Sequence, residues 1–146
     1  MKRAGFTMIE LIFVIVILGI LAAVAIPKLA ATRTDAQVSK VATEAATLVS
    51  ELGTFYTAQG TFEGKDSADI TNISLKTADS ALADNDTLVL GDDNNKTCIT
   101  VTFNNVADGN ITVAADASTS SVCKGVAAAT SGLQKTYSFG GSNVSW

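Results

Sequence analysis

The sequence predicts an α+β fold in which one long N-terminal α-helix packs on a small antiparallel β-sheet. The first half of that helix suits a membrane and the second half is amphipathic. Three observations carry this expectation. Residues 11–26 contain no charged or strongly polar side chain. Apolar residues then recur at three- and four-residue spacing from Val38 to Phe55, the period of a helix with one buried face. Beyond residue 86, short runs alternate apolar and polar side chains on either side of a turn signal, the period of half-buried strands.

The chain opens on a short basic stretch, Met1-Lys2-Arg3-Ala4-Gly5, and between Phe6 and Ile26 its only formal charge is Glu10. A helix over residues 6–26 is roughly 30 Å long, about the hydrocarbon thickness of a bilayer. Lys2 and Arg3 at one end leave the N-terminus cytoplasmic by the positive-inside rule, with everything after Pro27 on the far side. An ordinary secretory signal fits the small residues Ala23-Val24-Ala25 but places Glu10 inside the apolar region and Pro27 close to the cut. A plain anchor leaves Glu10 without a role, although an ionisable side chain at membrane depth costs about 2.5–3.5 kcal/mol. Pro27 lacks the N–H for an i→i−4 bond and Gly19 loosens the helix, so a kink at the membrane boundary or a local unwinding are both open at this position.

The amphipathic half is expected from about Thr34 to Ala58. Val38, Val41, Ala45, Leu48, Leu52 and Phe55 form its stripe, widened by Ala42, Val49 and Tyr56, with Lys40, Glu44 and Glu51 off it and Gly60 as the stop. Joined to the apolar run, this makes one helix of about fifty residues, roughly 80 Å at 1.5 Å per residue. Residues 61–86 read as loop, with a short helix over 77–83. Strands are expected at 87–90, 97–103 and 110–115. In the second of these Ile99, Val101 and Phe103 point one way, and Asp108-Gly109 provides the hairpin turn. A helix over 121–133 with Ser120 or Ser121 as N-cap and a last strand over 136–139 complete the head.

Composition narrows the function. The net charge is −4 and the sequence pI is about 4.6. No basic stripe follows Arg33, which argues against a nucleic-acid partner. Histidine is absent, removing Ser-His-Asp and Cys-His catalysis and the commonest metal ligand. No phosphate-binding loop occurs, and no catalytic residue, metal or cofactor is assigned. Cys98 and Cys123 are the only cysteines. An even number in a small exported domain favours a disulfide, the alternative being two unpaired buried thiols.

Lys2-Arg3-Ala4-Gly5-Phe6-Thr7-Met8-Ile9-Glu10-Leu11, continued by Gly19-Ile20-Leu21-Ala22-Ala23-Val24-Ala25-Ile26-Pro27, resembles the processing motif of type IV prepilins and type II secretion pseudopilins. The resemblance covers about the first thirty-five residues. It implies cleavage by a prepilin peptidase between Gly5 and Phe6, and N-methylation of Phe6. It also implies an assembly role for Glu10, whose carboxylate would neutralise the α-amine of an adjacent subunit, and a family proline at Pro27. The domains would be a leader over 1–5, a transmembrane and filament-core helix over 6–27, an amphipathic helix over 28–59 and a pilin-like head over 60–146. The implied partners are copies of the chain itself, the prepilin peptidase, an inner-membrane assembly platform and membrane lipid. The implied location is the bacterial inner membrane before assembly, and the periplasm or a cell-surface filament after it.

Two further features bear on the kind of filament. By the resemblance, Cys98–Cys123 would border the exposed C-terminal loop of a pilin. No carboxylate side chain follows Asp116, unlike the C-terminal calcium loop of major pseudopilins. Both favour a pilin, with a pseudopilin as the alternative and a membrane-anchored binding domain as the alternative of another class. The oxygen-rich run Asp92-Asp93-Asn94-Asn95, near Asp84 and Asp86, reads as a solvated turn, since its spacing is not that of an EF-hand. The triplets at Asn95 and Asn110 match glycosylation sequons, but such triplets arise by chance in a chain this rich in Asn, Ser and Thr.

Overall fold

A computed structural model describes residues 5–77, 81–118 and 120–140. The chain divides into two units, one ending at Thr34 and the other beginning at Asp35. Helix α1, Met8–Gln59, contributes to both. It keeps its helical assignment through Pro27, although that residue cannot donate to the carbonyl one turn back. The helix stops where the sequence signal places the stop. Gly60 takes a left-handed φ of 74°, and its N–H donates to the Tyr56 carbonyl at 2.7 Å, closing the last turn.

In the first unit α1 is exposed from Met8 to Arg33, and its apolar stretch is long and apolar enough to cross a membrane. In the second unit one face of α1 is buried through Val41, Ala45, Leu48, Val49, Leu52 and Tyr56. These residues join a core supplied chiefly by the sheet. The sheet is an antiparallel meander in the order β1-β2-β3-β4, formed by Thr87–Gly91, Thr97–Asn105, Asn110–Ala115 and Thr136–Ser138. Leu88 lies opposite Val101, Leu90 opposite Ile99, Val101 opposite Val113 and Phe103 opposite Ile111. All of these are buried, so register and burial agree across three strands. The hairpin joining β2 and β3 turns at Gly109 with φ 65°. A Cβ there would lie 2.5 Å from the Tyr56 ring, so both conformation and packing require glycine.

Several expectations need correction. Residues 77–83 hold no helix where they are described: Thr77 pairs with Val89 in an isolated bridge and residues 81–83 are irregular, while 78–80 lie outside the described residues. The helix in this loop is instead the single turn α2, Ser67–Ile70, capped by Asp66, whose carboxylate accepts from the Ala68 N–H at 3.2 Å. Helix α3 is Ser121–Ala129 and ends short of the expected Leu133. Its terminal carbonyls are taken by Thr130 and by the Gln134 side chain, which turn the chain toward β4. Ser120 is its N-cap, accepting from the Cys123 N–H at 3.1 Å. Strands β1 and β2 run slightly longer than expected and β4 one residue shorter, with Phe139 beyond it. Trp146 lies outside the described residues.

The region read as loop supplies the centre of the core. Phe62 is fully buried. Its ring lies 5.2 Å from Tyr56, 5.3 Å edge-on from Phe103 and 6.3 Å edge-on from Phe139, distances at which aromatic pairs are mutually stabilising. Cys98 of β2 and Cys123 of α3 form a disulfide, with Cα atoms 4.6 Å apart. The pairing of β1 with β2 slips between Leu90 and Gly91, leaving Cys98 without a partner in β1, and Cys98 and Ile99 are both buried.

Candidate processing and assembly site

The described part of the processing motif runs from Gly5 into the first turn of α1. Gly5 and Phe6 precede the helix, and both are exposed. The peptide bond between them is thus free of the helical hydrogen-bond ladder and open to an enzyme. Thr7 is the N-cap: its carbonyl accepts from the Leu11 N–H at 3.2 Å, and its hydroxyl lies 3.4 Å from the Glu10 N–H. Glu10 reaches back. Its Oε2 accepts from the Thr7 N–H at 2.9 Å and from the Thr7 hydroxyl at 2.7 Å.

This reciprocal arrangement is a capping box, Thr-x-x-Glu, which satisfies donors the first turn would otherwise leave open. The pattern Thr7-Met8-Ile9-Glu10 is visible in the sequence. The expectation that Glu10 partners an amine leaves out this second role. The negative charge also sits at the positive end of the helix macrodipole. Phe6, Ile9, Glu10, Phe13 and Val14 line one shallow cleft, so the residue after the proposed cut and the acid share a surface.

From Phe6 to Leu29 the large apolar side chains are between 41 % and 85 % exposed. A helix apolar on every side is stable only in apolar surroundings, whether lipid or other helices. Cys98 and Cys123 belong to the second unit and take no part in this site.

The matching family model is that of the prokaryotic N-terminal methylation motif, over residues 1–26. This is the signature of type IV pilins and pseudopilins. The chain matches no curated protein and no solved structure. The motif marks a structural rather than an enzymatic family, and it implies processing by a prepilin peptidase and filament assembly in general. A prepilin motif on an exposed apolar helix fits a membrane-anchored precursor.

The oxygen-rich turns have local tasks. Asp92 is buried, its Oδ1 accepting from the Asn94 and Lys96 N–H groups at 3.0 and 2.8 Å and its Oδ2 from the Ser120 hydroxyl at 2.8 Å. Burial pushes the Asp92 carboxyl up. Hydrogen bonds from Lys96, Ser120 and Asn94, with the charge of Lys76, together hold it below the usual carboxylate range. Asp84 accepts from the Val106 N–H and Asp86 from the Ala83 N–H. Among the described residues no group of three or more acidic or cysteine side chains is placed to hold a metal ion.

Proposed function

We propose that this chain is a type IV pilin: cut between Gly5 and Phe6, N-methylated on Phe6, and polymerised through α1 into a filament. The observation that carries the reading is Glu10 in the first turn of α1, the only charge in the exposed apolar stretch from Phe6 to Ile26, within the methylation motif over residues 1–26. In the lone precursor the Glu10 carboxylate rests on Thr7. Cleavage creates a cationic amine on Phe6. Among packed helices the amine of a neighbouring copy is a stronger partner than a neutral hydroxyl, because a charge pair gains most where water is excluded. The same exclusion makes an unpaired Glu10 costly, so the carboxylate favours the assembled register. Pro27, as the one break in the ladder of backbone donors in α1, is the place where this helix would yield as it leaves the bilayer.

Mass spectrometry of the mature subunit tests the processing step, with methyl-Phe6 expected as the first residue. The Glu10→Ala variant is expected to be cut and inserted but to enter filaments at a level at least about tenfold lower, the cost of removing one member of a buried charge pair. Normal filament yield from Glu10→Ala would overturn the role of Glu10. A retained leader would favour a membrane-anchored binding domain. The pseudopilin reading rests on the same motif. Electron microscopy of surface filaments, with and without the gene, separates it from a pilus.

A further inference from the structure

The charged side chains of α1 in the second unit are not all provided for. Glu51 is half-buried on the flank of the core face, and its Oε2 is buried with no hydrogen-bond partner. Leaving a carboxylate oxygen out of water without a donor is unfavourable, and more so for a charged group than for a neutral one. Glu51 also lines an open cleft of about 280 Å³ together with Ser50, Thr54, Phe55, Ala58 and Ile70. None of these carries a positive charge. Lys40–Asp93, at 3.8 Å, is the single ion pair among the described residues, so no cation of the same chain pairs with Glu51 there.

Arg33 is likewise without an ion pair among the described residues. It is exposed on α1 and has no carboxylate within ion-pairing distance among the described residues. Arginine tolerates partial desolvation better than lysine and binds a carboxylate with two parallel donors.

We propose that the cleft at Glu51 is an interaction surface for a second copy of this chain, whose Arg33 guanidinium enters it and pairs with the Glu51 carboxylate. The inference rests on the filament reading, because it needs α1 helices of different copies side by side and running the same way. In that arrangement Arg33 of one copy meets Glu51 of another at a stagger of eighteen residues, about 27 Å along a helix axis. The pairing neutralises a carboxylate that the lone subunit leaves poorly satisfied, so it favours assembly over the monomer and selects one axial stagger among those the apolar helices alone would allow. The Ser50, Thr54 and Ala58 side chains are short, leaving room for a guanidinium and its stem beside the helix.

The test uses the full chain in cells that assemble it, scoring filament yield, the level of cleaved membrane-inserted subunit, and the thermal stability of the purified subunit. Glu51→Arg and Arg33→Glu are each expected to lower filament yield at least about tenfold, as for a severed buried charge pair. The level of cleaved subunit should stay unchanged. The doubly exchanged chain is expected to regain most of the yield. Glu51→Gln separates the assembly role from a folding role: it should leave the melting temperature of the subunit unchanged or raised while still lowering the yield. Wild-type yield from Glu51→Gln, no recovery in the double exchange, or recovery of Glu51→Arg by Lys28→Glu instead of Arg33→Glu would overturn the proposal. A wild-type chain that is cleaved yet forms no filament in these cells would overturn the filament reading and this inference together. Filaments from the wild type with no effect of the exchanges would overturn the inference alone.

Discussion

Single side chains in this protein work by which partner they hold. Glu10 holds Thr7 in the lone chain and is proposed to exchange it for an amine. Asp92 holds three donors from two segments, tying the turn between β1 and β2 to the N-cap of α3. Removing it in Asp92→Ala leaves those donors unpaired and is expected to cost about 3 kcal/mol, read from denaturant unfolding. Its pH dependence has a definite sign. The folded-state carboxyl lies below its ordinary value, so its contribution is complete above the unfolded pKa of about 3.9 and is lost as pH falls through the lower folded value. Melting temperature measured against pH should therefore fall less steeply on the acid side in Asp92→Asn than in the wild type. Equal slopes would show that Asp92 contributes nothing to acid sensitivity.

At the scale of elements, the sheet and the buried half of α1 supply most of the core, and α3 is held to them by a few strong ties. Val122 and Val126 are buried, Gly125 lies against Val38 of α1, where a Cβ would meet the side chain at 2.6 Å, and the disulfide joins α3 to β2. The bridge spans a sequence separation of 25, a loop for which chain entropy gives about 3 kcal/mol. Replacing both cysteines by alanine should lower unfolding stability by about that amount, with α3 losing amide-exchange protection before the central strands. Simultaneous loss of protection in α3 and β2 would show that the bridge is not what anchors the helix.

For the whole molecule, the decisive contrast is between a unit with a buried core and one without. Every large apolar side chain from Phe6 to Leu29 faces outward, whereas the residues from Asp35 onward enclose a continuous cluster from Val41 to Val126. A chain beginning at Asp35 is therefore expected to stay soluble without detergent and to melt cooperatively. The full chain should partition into membranes or detergent. Aggregation of the shortened chain would show that its core needs the preceding helix.

The N-terminal motif, the apolar run, the amphipathic stripe and the β2–β3 hairpin were all legible in the sequence because each is a local pattern, set by helix or strand period and by turn chemistry. Tertiary structure alone decided the rest. Phe62 sits in a segment without period, and only the convergence of α1, β2 and Phe139 makes it the centre of an aromatic cluster. Thr77 pairs with Val89 rather than entering a helix because the edge of β1 is open to it. The orphan oxygen of Glu51 was equally invisible. A residue off the apolar stripe reads as solvated until the packing around it shows that one of its oxygens is buried without a donor. Sequence by itself determined that the first half of α1 is long and apolar enough to cross a membrane, and the class of filament protein that the chain resembles. Tertiary contacts decided which charges are left without a partner, because that depends on what every other element has already covered.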